Sequence, residues 1–290
     1  MFLRGSCSAS VAIGRIRGAA ALASGGSIRV LRRGLSSSHS PAPPQDDVPV
    51  KNTAPVIRRF WRNVGVGERD GHHVVLLDTR PLKTPDGKLV QIALRQRALA
   101  WLVAGEWELQ KEVLGAHSLP LTSLVSRAID GLSDPAVRGD VVDKLLKYFQ
   151  TDSACLHDEG PRALADLQQR HYAPILKWAR STYGIDIQAT TDIFALRQSP
   201  QAVAALRQAA AGFGPLKLAA LERAVMAAKS FLIGLALVEQ HITAEEAALA
   251  SQVEANAQTQ LWGELENAHD LDNAAIRQIL GASACAAASA

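Results

Sequence analysis

The sequence has 290 residues, of which 48% are hydrophobic and 20% charged, a balance typical of globular domains and not of disordered chains. Its formal net charge of +3 is distributed unevenly, because residues 1–45 contain six arginines, no lysine and no acidic residue. The remainder carries a slight excess of acid, which excludes the basic field that nucleic-acid binding requires.

Residues 1–35 have the composition of a mitochondrial presequence, which is rich in arginine and serine and free of acid. A plastid transit peptide shares this chemistry, and a disordered arm is the structural alternative. Arg33-Gly34-Leu35-Ser36 resembles a matrix-protease cleavage site. Residues 36–54 are rich in proline and are predicted to be a linker. We therefore predict localisation in the mitochondrial matrix.

Residues 55–124 are predicted to form a small β-rich N-terminal domain with one or two helices. His73–Leu77 and Leu89–Leu94 are predicted strands, and Gly65-Val66-Gly67 is interpreted as a turn between strands. A helix is then predicted from apolar residues at helical spacing. These residues are Leu94, Ala98, Trp101, Leu102, Gly105 and Leu109.

Residues 125–280 are predicted to form a larger all-helical C-terminal domain, which makes the fold class α+β. Asp134-Pro135 and Ser199-Pro200 are typical helix starts, and Thr243 with Glu246 forms a capping box. Leu221–Leu235 is predicted to be a single long helix at the centre of the core. Residues 281–290, a run of alanine and serine, are predicted to be a disordered tail.

The helix that begins after Thr243 is predicted to end at Gly263, a natural C-cap. Its apolar residues at helical spacing predict a buried face. This face consists of Ala250, Val253, Ala257 and Leu261.

Two polar segments are candidates for chemistry, and each has a structural alternative. Arg80 and Lys83 could bind an anion, or Asp78 and Arg80 could hold a turn. Thr151–His157 contains several nucleophile types, but nucleophilic catalysis also needs a base and a group that orients it. The alternative is helix capping with a buried Cys155 that packs as a small hydrophobic residue.

The sequence lacks the motifs that are typical of several classes of protein. The chain has no phosphate-binding glycine motif and no Cys-x-x-Cys pair. Its longest apolar run, Phe231–Val238, is eight residues, whereas about 20 are needed to cross a bilayer. We therefore predict no cofactor, no small-molecule ligand and no membrane span.

The segment QLWGELENAHD, residues 260–270, contains the densest group of polar side chains. Glu266 and His269 have the Glu-x-x-His spacing of helical metal ligands, yet the second copy that a di-metal site requires is absent. A metal site, a structural turn anchored by Trp262 and a protein-docking surface are the three interpretations. A metal-dependent matrix enzyme using Glu266, His269 and Asp270 is the alternative to docking.

Seven motifs in order give the chain a resemblance to a known family. They are RRFWRNVGV, LLDTRPLKTP, GEWELQ, LPLTSLVSRAID, YFQTDSACL, WARSTYGIDI and QLWGELENAHD, spread over nearly the whole chain after residue 57. In these motifs the chain resembles the mitochondrial ATP synthase F1 assembly factor 2 family. The resemblance implies a two-domain matrix chaperone without enzymatic activity that binds the F1 α subunit transiently and releases it to the β subunit.

The resemblance directs attention to the helix that ends at Gly263. Glu254, Gln258 and Trp262 are spaced four residues apart and are predicted to form a polar and aromatic stripe beside its buried face. The family pattern has further acids after position 254, where this chain has Ala255 and Asn256. The predicted partner-binding set is Glu254, Gln258, Trp262, Glu266, His269 and Asp270. Trp107 also falls on a family motif, either as packing or as a partner contact.

Overall fold

A small antiparallel sheet begins the part of the chain that the computed structural model describes, residues 57–263 and 269–290. Strand β1, Val64–Arg69, pairs along its whole length with β2, His72–Leu77. The other edge of β2 pairs with two short strands, β3 at Arg80–Pro81 and β4 at Gln91–Ala93. Val75 and Leu77 of β2 belong to the hydrophobic core, and His73 and Val74 are buried as well.

The interpretation of Gly65-Val66-Gly67 as a turn was wrong, because these residues lie inside β1. Gly67 pairs with Val74, and a Cβ at Gly67 would lie 3.0 Å from the Leu76 side chain. Glycine at this position therefore leaves room for the Leu76 side chain to lie over β1.

Helix α1, Arg97–Glu108, follows a 3₁₀ turn and packs one face on β1 and β2. Its buried residues are Leu99, Ala100, Val103 and Ala104. The helix was predicted correctly, but the apolar residues that predicted it lie mainly on the opposite, exposed face.

Two tryptophans hold the end of α1 against the sheet and the next helix. The rings of Trp61 and Trp107 lie 5.1 Å apart, and Trp107 Nε1 donates a hydrogen bond to Thr122 Oγ1 at 3.1 Å. Trp107 is half-buried against the core. These contacts support the interpretation of Trp107 as a packing residue.

Nine further helices complete the part of the chain that the structure describes. They are α2 Pro120–Asp130, α3 Pro135–Gln150, α4 Arg162–Tyr183, α5 Pro200–Ala211, α6 Pro215–Ala228, α7 Phe231–Val238, α8 Ala244–Ser251, α9 Val253–Trp262 and α10 His269–Ala288. Helix α7 is buried on every side, and α6 packs against α2, α7 and α10. The predicted α+β class, a small sheet followed by helices, is confirmed. Among the described helices, none is long and apolar enough to cross a membrane.

Two long helices predicted from apolar spacing are each broken in the structure. Lys229 adopts φ +55° and ends α6, after which the Ser230 hydroxyl accepts a hydrogen bond from Ile233 N and begins α7. The capped helix is interrupted at Gln252, between α8 and α9. Apolar spacing continues through both breaks, because the helices before and after each break still bury residues in the core.

The prediction of a disordered tail at residues 281–290 was also wrong, because α10 continues to Ala288. Ala286 is fully buried, and Gln96 Nε2 donates a hydrogen bond to the carbonyl oxygen of Ser289 at 2.6 Å. A run of small residues here allows close packing against α6 and α8.

The predicted boundary at 124/125 falls inside α2, and one hydrophobic core includes residues from both sides of it. The presequence, 1–35, and the linker, 36–54, lie outside the described residues.

Candidate partner-binding site

The Thr151–His157 segment, which was a candidate for nucleophilic chemistry, is structural. Cys155 is fully buried, and burial raises the pKa of its thiol, with the Asp152 charge acting in the same direction. The thiol is therefore protonated and a poor nucleophile. His157 Nε2 lies 3.2 Å from the Ala154 carbonyl oxygen, and the His157 ring stacks on Tyr172. The capping interpretation is confirmed.

Asp152 in this segment anchors the N-terminus of the buried helix α7. Its carboxylate accepts hydrogen bonds from Ser230 Oγ at 2.5 Å, Leu232 N at 3.0 Å and Ala154 N at 3.1 Å. Burial raises the pKa of Asp152 to about 6, and these hydrogen bonds oppose the rise. Both carboxylate oxygens of this fully buried residue accept hydrogen bonds from the fold, which indicates that Asp152 supports α7.

The turn interpretation of the Asp78 segment is also supported. Asp78 adopts φ +55°, and its carboxylate accepts hydrogen bonds from Arg62 N at 3.1 Å and Asn63 N at 2.9 Å. These backbone hydrogen bonds lower the pKa of Asp78. Arg80 and Lys83 line a groove of about 770 Å³ beside β3.

Helix α9 is positioned by the capping box that begins α8. Thr243 Oγ1 accepts from Glu246 N at 3.2 Å, while the Glu246 carboxylate accepts from Thr243 N at 2.8 Å. The chain bends at Gln252, and α9 then packs on α4 through the buried Val253 and Ala257. This packing fixes which side of α9 faces solvent.

Glu254, Gln258 and Trp262, named here the α9 stripe, are exposed together on the free side of α9. Residues four apart on an α-helix lie about 6 Å apart along one face. Trp262 is 79% exposed, which is unusual for so large an aromatic side chain. The structure therefore supports the predicted geometry of the stripe, with an unburied aromatic group at its end.

Leu261 was predicted on the buried face, and that prediction was wrong. The side chain is 48% exposed. Leu271, near the start of α10, is also exposed and was not predicted. Its position in the polar run HDLDN was an available signal, since an isolated leucine in such a run has no buried face to join.

Charges of both signs lie beside α9 where it meets α4. A depression of about 590 Å³ lies beside α9, and it is lined by Arg162, Asp166 and Arg170 of α4 and by Gln260 of α9. Burial raises the pKa of Tyr172 on α4, and the charge of Glu254 adds to this rise. The surface is therefore mixed in charge and apolar at one end.

The remaining predicted residues are described only in part. Glu266 and the side chain of His269 lie outside the described residues, while Asp270 is exposed in the first turn of α10. Within the described ranges, no three His, Cys, Asp or Glu side chains converge to hold a metal ion. The structure thus unites Glu254, Gln258 and Trp262 on one helix and places Asp270 on another.

Comparison with known proteins identifies a family. The family model described as ATP12 chaperone protein matches residues 58–180. The chain is 31% identical to the mitochondrial protein atp12 of Schizosaccharomyces pombe over 238 residues, with 79% of this chain and 82% of that protein covered. It is 30% identical to the mitochondrial protein ATP12 of Saccharomyces cerevisiae, with 79% and 83% covered.

A solved structure agrees with the sequence relatives. The crystal structure of Atp12 from Paracoccus denitrificans superposes with a TM-score of 0.70 at 29% identity. The match covers 80% of this chain and 97% of that one, so it includes both the sheet and most of the helical region. The chain belongs to the ATP12 chaperone family.

Proposed function

We propose that this protein is a mitochondrial matrix chaperone that binds the unassembled α subunit of F1-ATP synthase through the α9 stripe and releases it during F1 assembly. The observation that carries this proposal is the exposure of Trp262 beside Glu254 and Gln258 on a rigidly packed helix. Family membership supports the chaperone role, and the mitochondrial relatives support the compartment.

The chemistry of the stripe suits a reversible protein contact. An unassembled subunit exposes the apolar surface that its neighbour would cover, and such surfaces aggregate. Trp262 and Leu261 offer apolar area, and a tryptophan is a frequent centre of binding energy at interfaces. Glu254 contributes orientation more than affinity, because an exposed charge at the edge of an interface is largely screened. Binding of this kind forms no covalent bond and needs no cofactor.

Capture of the α subunit tests the proposal. The α subunit would be co-expressed with wild-type protein or with Trp262→Ala, and soluble α subunit would be measured after centrifugation. We expect Trp262→Ala to weaken capture by tenfold or more, as for a central interface tryptophan. Phe194→Ala is the matched control, because Phe194 is an exposed aromatic residue outside the stripe. Equal capture by both variants would contradict the proposal.

A charge reversal at Glu254 tests separately whether this residue orients the bound α subunit. Glu254→Lys should weaken capture severalfold and leave the melting temperature nearly unchanged, because Glu254 is exposed. Asp140→Lys, an exposed acid on α3, is the control and should capture normally. Addition of β subunit should displace the chaperone from the α subunit.

The alternative function, a metal-dependent enzyme, predicts different results. It requires stoichiometric metal in the purified protein and loss of turnover in His269→Ala. Metal analysis of the wild-type protein by mass spectrometry, combined with its capture of the α subunit, separates the two functions. Metal-free wild-type protein that captures the α subunit supports the chaperone.

A further inference from the structure

The groove beside β3, named here the β3 groove, combines apolar walls with positive charge. Of the twelve described residues that line its volume of about 770 Å³, eight are apolar and three are the cations Arg69, Arg80 and Lys83. None of the twelve is acidic. Binding clefts commonly enclose about 300–1,000 Å³ and have mainly apolar walls with a few polar groups. The β3 groove therefore has the size and the chemistry to bind an apolar group that carries negative charge.

The apolar walls of the β3 groove are only partly covered by the fold. Leu77 and Leu82 are buried, but Ile57 is 58% exposed and Phe60 is 61% exposed. Because these two exposed side chains line one cleft together, they offer an apolar surface on which a further segment can pack.

The three cations are also available to a ligand. Arg69, Arg80 and Lys83 are all exposed. Within the described ranges, Arg69 has one acidic neighbour, Asp70 at 3.7 Å, and neither Arg80 nor Lys83 forms an ion pair. A carboxylate that enters the groove can therefore form charge-assisted hydrogen bonds with these side chains.

The chain enters the described structure at this groove. The carbonyl oxygen of Ile57 accepts a hydrogen bond from Leu114 N at 3.0 Å, and Arg59 N donates to the carbonyl oxygen of Glu112 at 2.9 Å. Ile57 and Leu114 both line the groove. These backbone hydrogen bonds hold Ile57 in place, so the residues that precede it start from a fixed point in the groove.

The sequence before this point contains a segment that complements the groove. Residues 46–50 read Asp-Asp-Val-Pro-Val, and Asp46 and Asp47 are the only acidic residues among the first 67. Residues 51–56 join this segment to Ile57, and six residues can span at most about 20 Å. Proline at position 49 reduces the conformational entropy that the segment loses when it is bound.

We propose that residues 46–50 bind in the β3 groove of the same chain. Val48, Pro49 and Val50 cover its apolar walls, while Asp46 and Asp47 form ion pairs with its cations. Because the segment is tethered to Ile57, its effective concentration at the groove is high, and a contact too weak to join two molecules is still occupied. The bound segment covers an apolar cleft that would otherwise bind other chains. This proposal does not depend on capture of the α subunit by the α9 stripe.

Proteolysis at Lys51 tests the proposal, because Lys51 is the first lysine of the chain and the next is Lys83. A lysine-specific protease would be added to the full chain, and release of residues 1–51 would be followed by mass spectrometry. A synthetic peptide of residues 44–56 gives the rate for the free segment. We expect cleavage in the full chain to be at least about tenfold slower, since cleavage follows the fraction of unbound segment. Equal rates in the chain and the peptide would overturn the proposal.

Charge removal on each side of the contact should relieve this protection. Arg80→Gln with Lys83→Gln should speed cleavage at Lys51 about fivefold, because two ion pairs are lost. Asp46→Asn with Asp47→Asn should have a similar effect, measured against a peptide with the same substitutions. The control is Lys144→Gln with Lys147→Gln, which removes two exposed charges from α3. Cleavage that is unchanged in both groove and segment variants would contradict the ion pairs.

Cross-linking of the unaltered chain identifies the occupant. A carbodiimide joins a lysine amine directly to a carboxylate, so we expect links from Lys83 to Asp46 or Asp47 and none from the exposed Lys144 to either. An equal mixture of ¹⁵N-labelled and unlabelled chains should give links within one isotope only. Links that mix the isotopes would place the segment of a second copy in the groove and overturn the proposal.

The α subunit is the remaining candidate occupant. Arg80→Gln with Lys83→Gln should leave α-subunit capture unchanged, because the groove variants do not alter the α9 stripe. Loss of capture in this variant, together with wild-type cleavage at the rate of the free peptide, would assign the groove to the α subunit and overturn the proposal. Failure of the α9 stripe variants to weaken capture would contradict the proposed function alone.

Discussion

Helices α7 and α1 are both rich in apolar residues, but the fold uses them in opposite ways. All eight residues of α7 are buried, so that helix has no free side. Helix α1 buries one side against the sheet and presents tryptophan and leucines on the other. One helix is a structural centre, and the other combines a structural side with an available surface.

The difference between the two helices lies in what surrounds them. Helix α7 is enclosed by α3, α4, α6, α8 and α10. Helix α1 is covered by the sheet and α2, and no described element packs on its outer face. A substitution in α7 should therefore lower stability strongly, whereas one on the outer side of α1 should change it little.

The largest effect is expected from removing the anchor of α7. Asp152→Ala should lower the free energy of unfolding by about 3–5 kcal/mol, because three buried donors lose their acceptor. Chemical denaturation measures this loss. Asp192→Ala, which removes an exposed acceptor of Phe194 N, should cost less than about 1 kcal/mol. Similar costs for the two variants would show that the anchor is dispensable.

The two sides of α1 can be compared directly. Leu99→Ala should lower the free energy of unfolding by about 2–5 kcal/mol, because a fully buried leucine leaves a cavity. Leu102→Ala should change it by less than about 1 kcal/mol, because Leu102 is 46% exposed. A large cost at Leu102 would mean that its side of the helix is covered within one chain.

The contribution of Asp152 to the free energy of unfolding should depend on pH, and this gives a third comparison. Because its pKa is about 6 in the folded protein and near 4 in an unfolded chain, the folded state binds the proton more tightly. The stability contributed by that proton is complete below about pH 4 and is lost as the pH rises through about 6. The stability difference between wild type and Asp152→Asn should therefore fall by at most about 3 kcal/mol from pH 4 to pH 7.

Urea denaturation of both proteins at the two pH values gives this difference, and the non-titrating asparagine cancels the contribution of other groups. A difference that grows with pH would show instead that the hydrogen bonds of Ser230 and Leu232 keep the carboxylate ionised.

The smallest effects concern two helical glycines. A Cβ at Gly234 of α7 would lie 2.6 Å from a Val225 methyl and 3.0 Å from the Val225 backbone nitrogen. Gly234→Ala should therefore destabilise the protein by about 1–3 kcal/mol. Gly139→Ala in α3, where nothing lies within 4 Å, should stabilise it by about 0.5–1 kcal/mol. Thermal melting compares the two, and equal shifts would contradict the close α6–α7 contact.

Much of the helical architecture could be predicted from local signals. Asp134 and Ser199 cap their helices as expected, and Gly184 ends α4 in the left-handed conformation. The Thr243–Glu246 capping box is likewise confirmed. These signals depend on hydrogen bonds within a few residues, so the sequence alone contains them.

The features that depend on distant contacts could not be predicted. The break before α7 is supported by Asp152, which is 80 residues from Leu232 in the chain. Which side of α1 is buried depends on where the sheet lies. In the candidate site, the spacing of Glu254, Gln258 and Trp262 predicted a shared face, but the exposure of Leu261 depends on which other helices reach the end of α9.

Helix α10 is the last described helix of the chain, yet it packs against α2, α6, α7 and α8. A polypeptide that enters a compartment with its N-terminus first would expose the flank of those four helices until residues 269–288 had followed. The fold is therefore completed only after α10 has followed the rest of the chain. During that interval the residues of the four helices that α10 covers would face solvent.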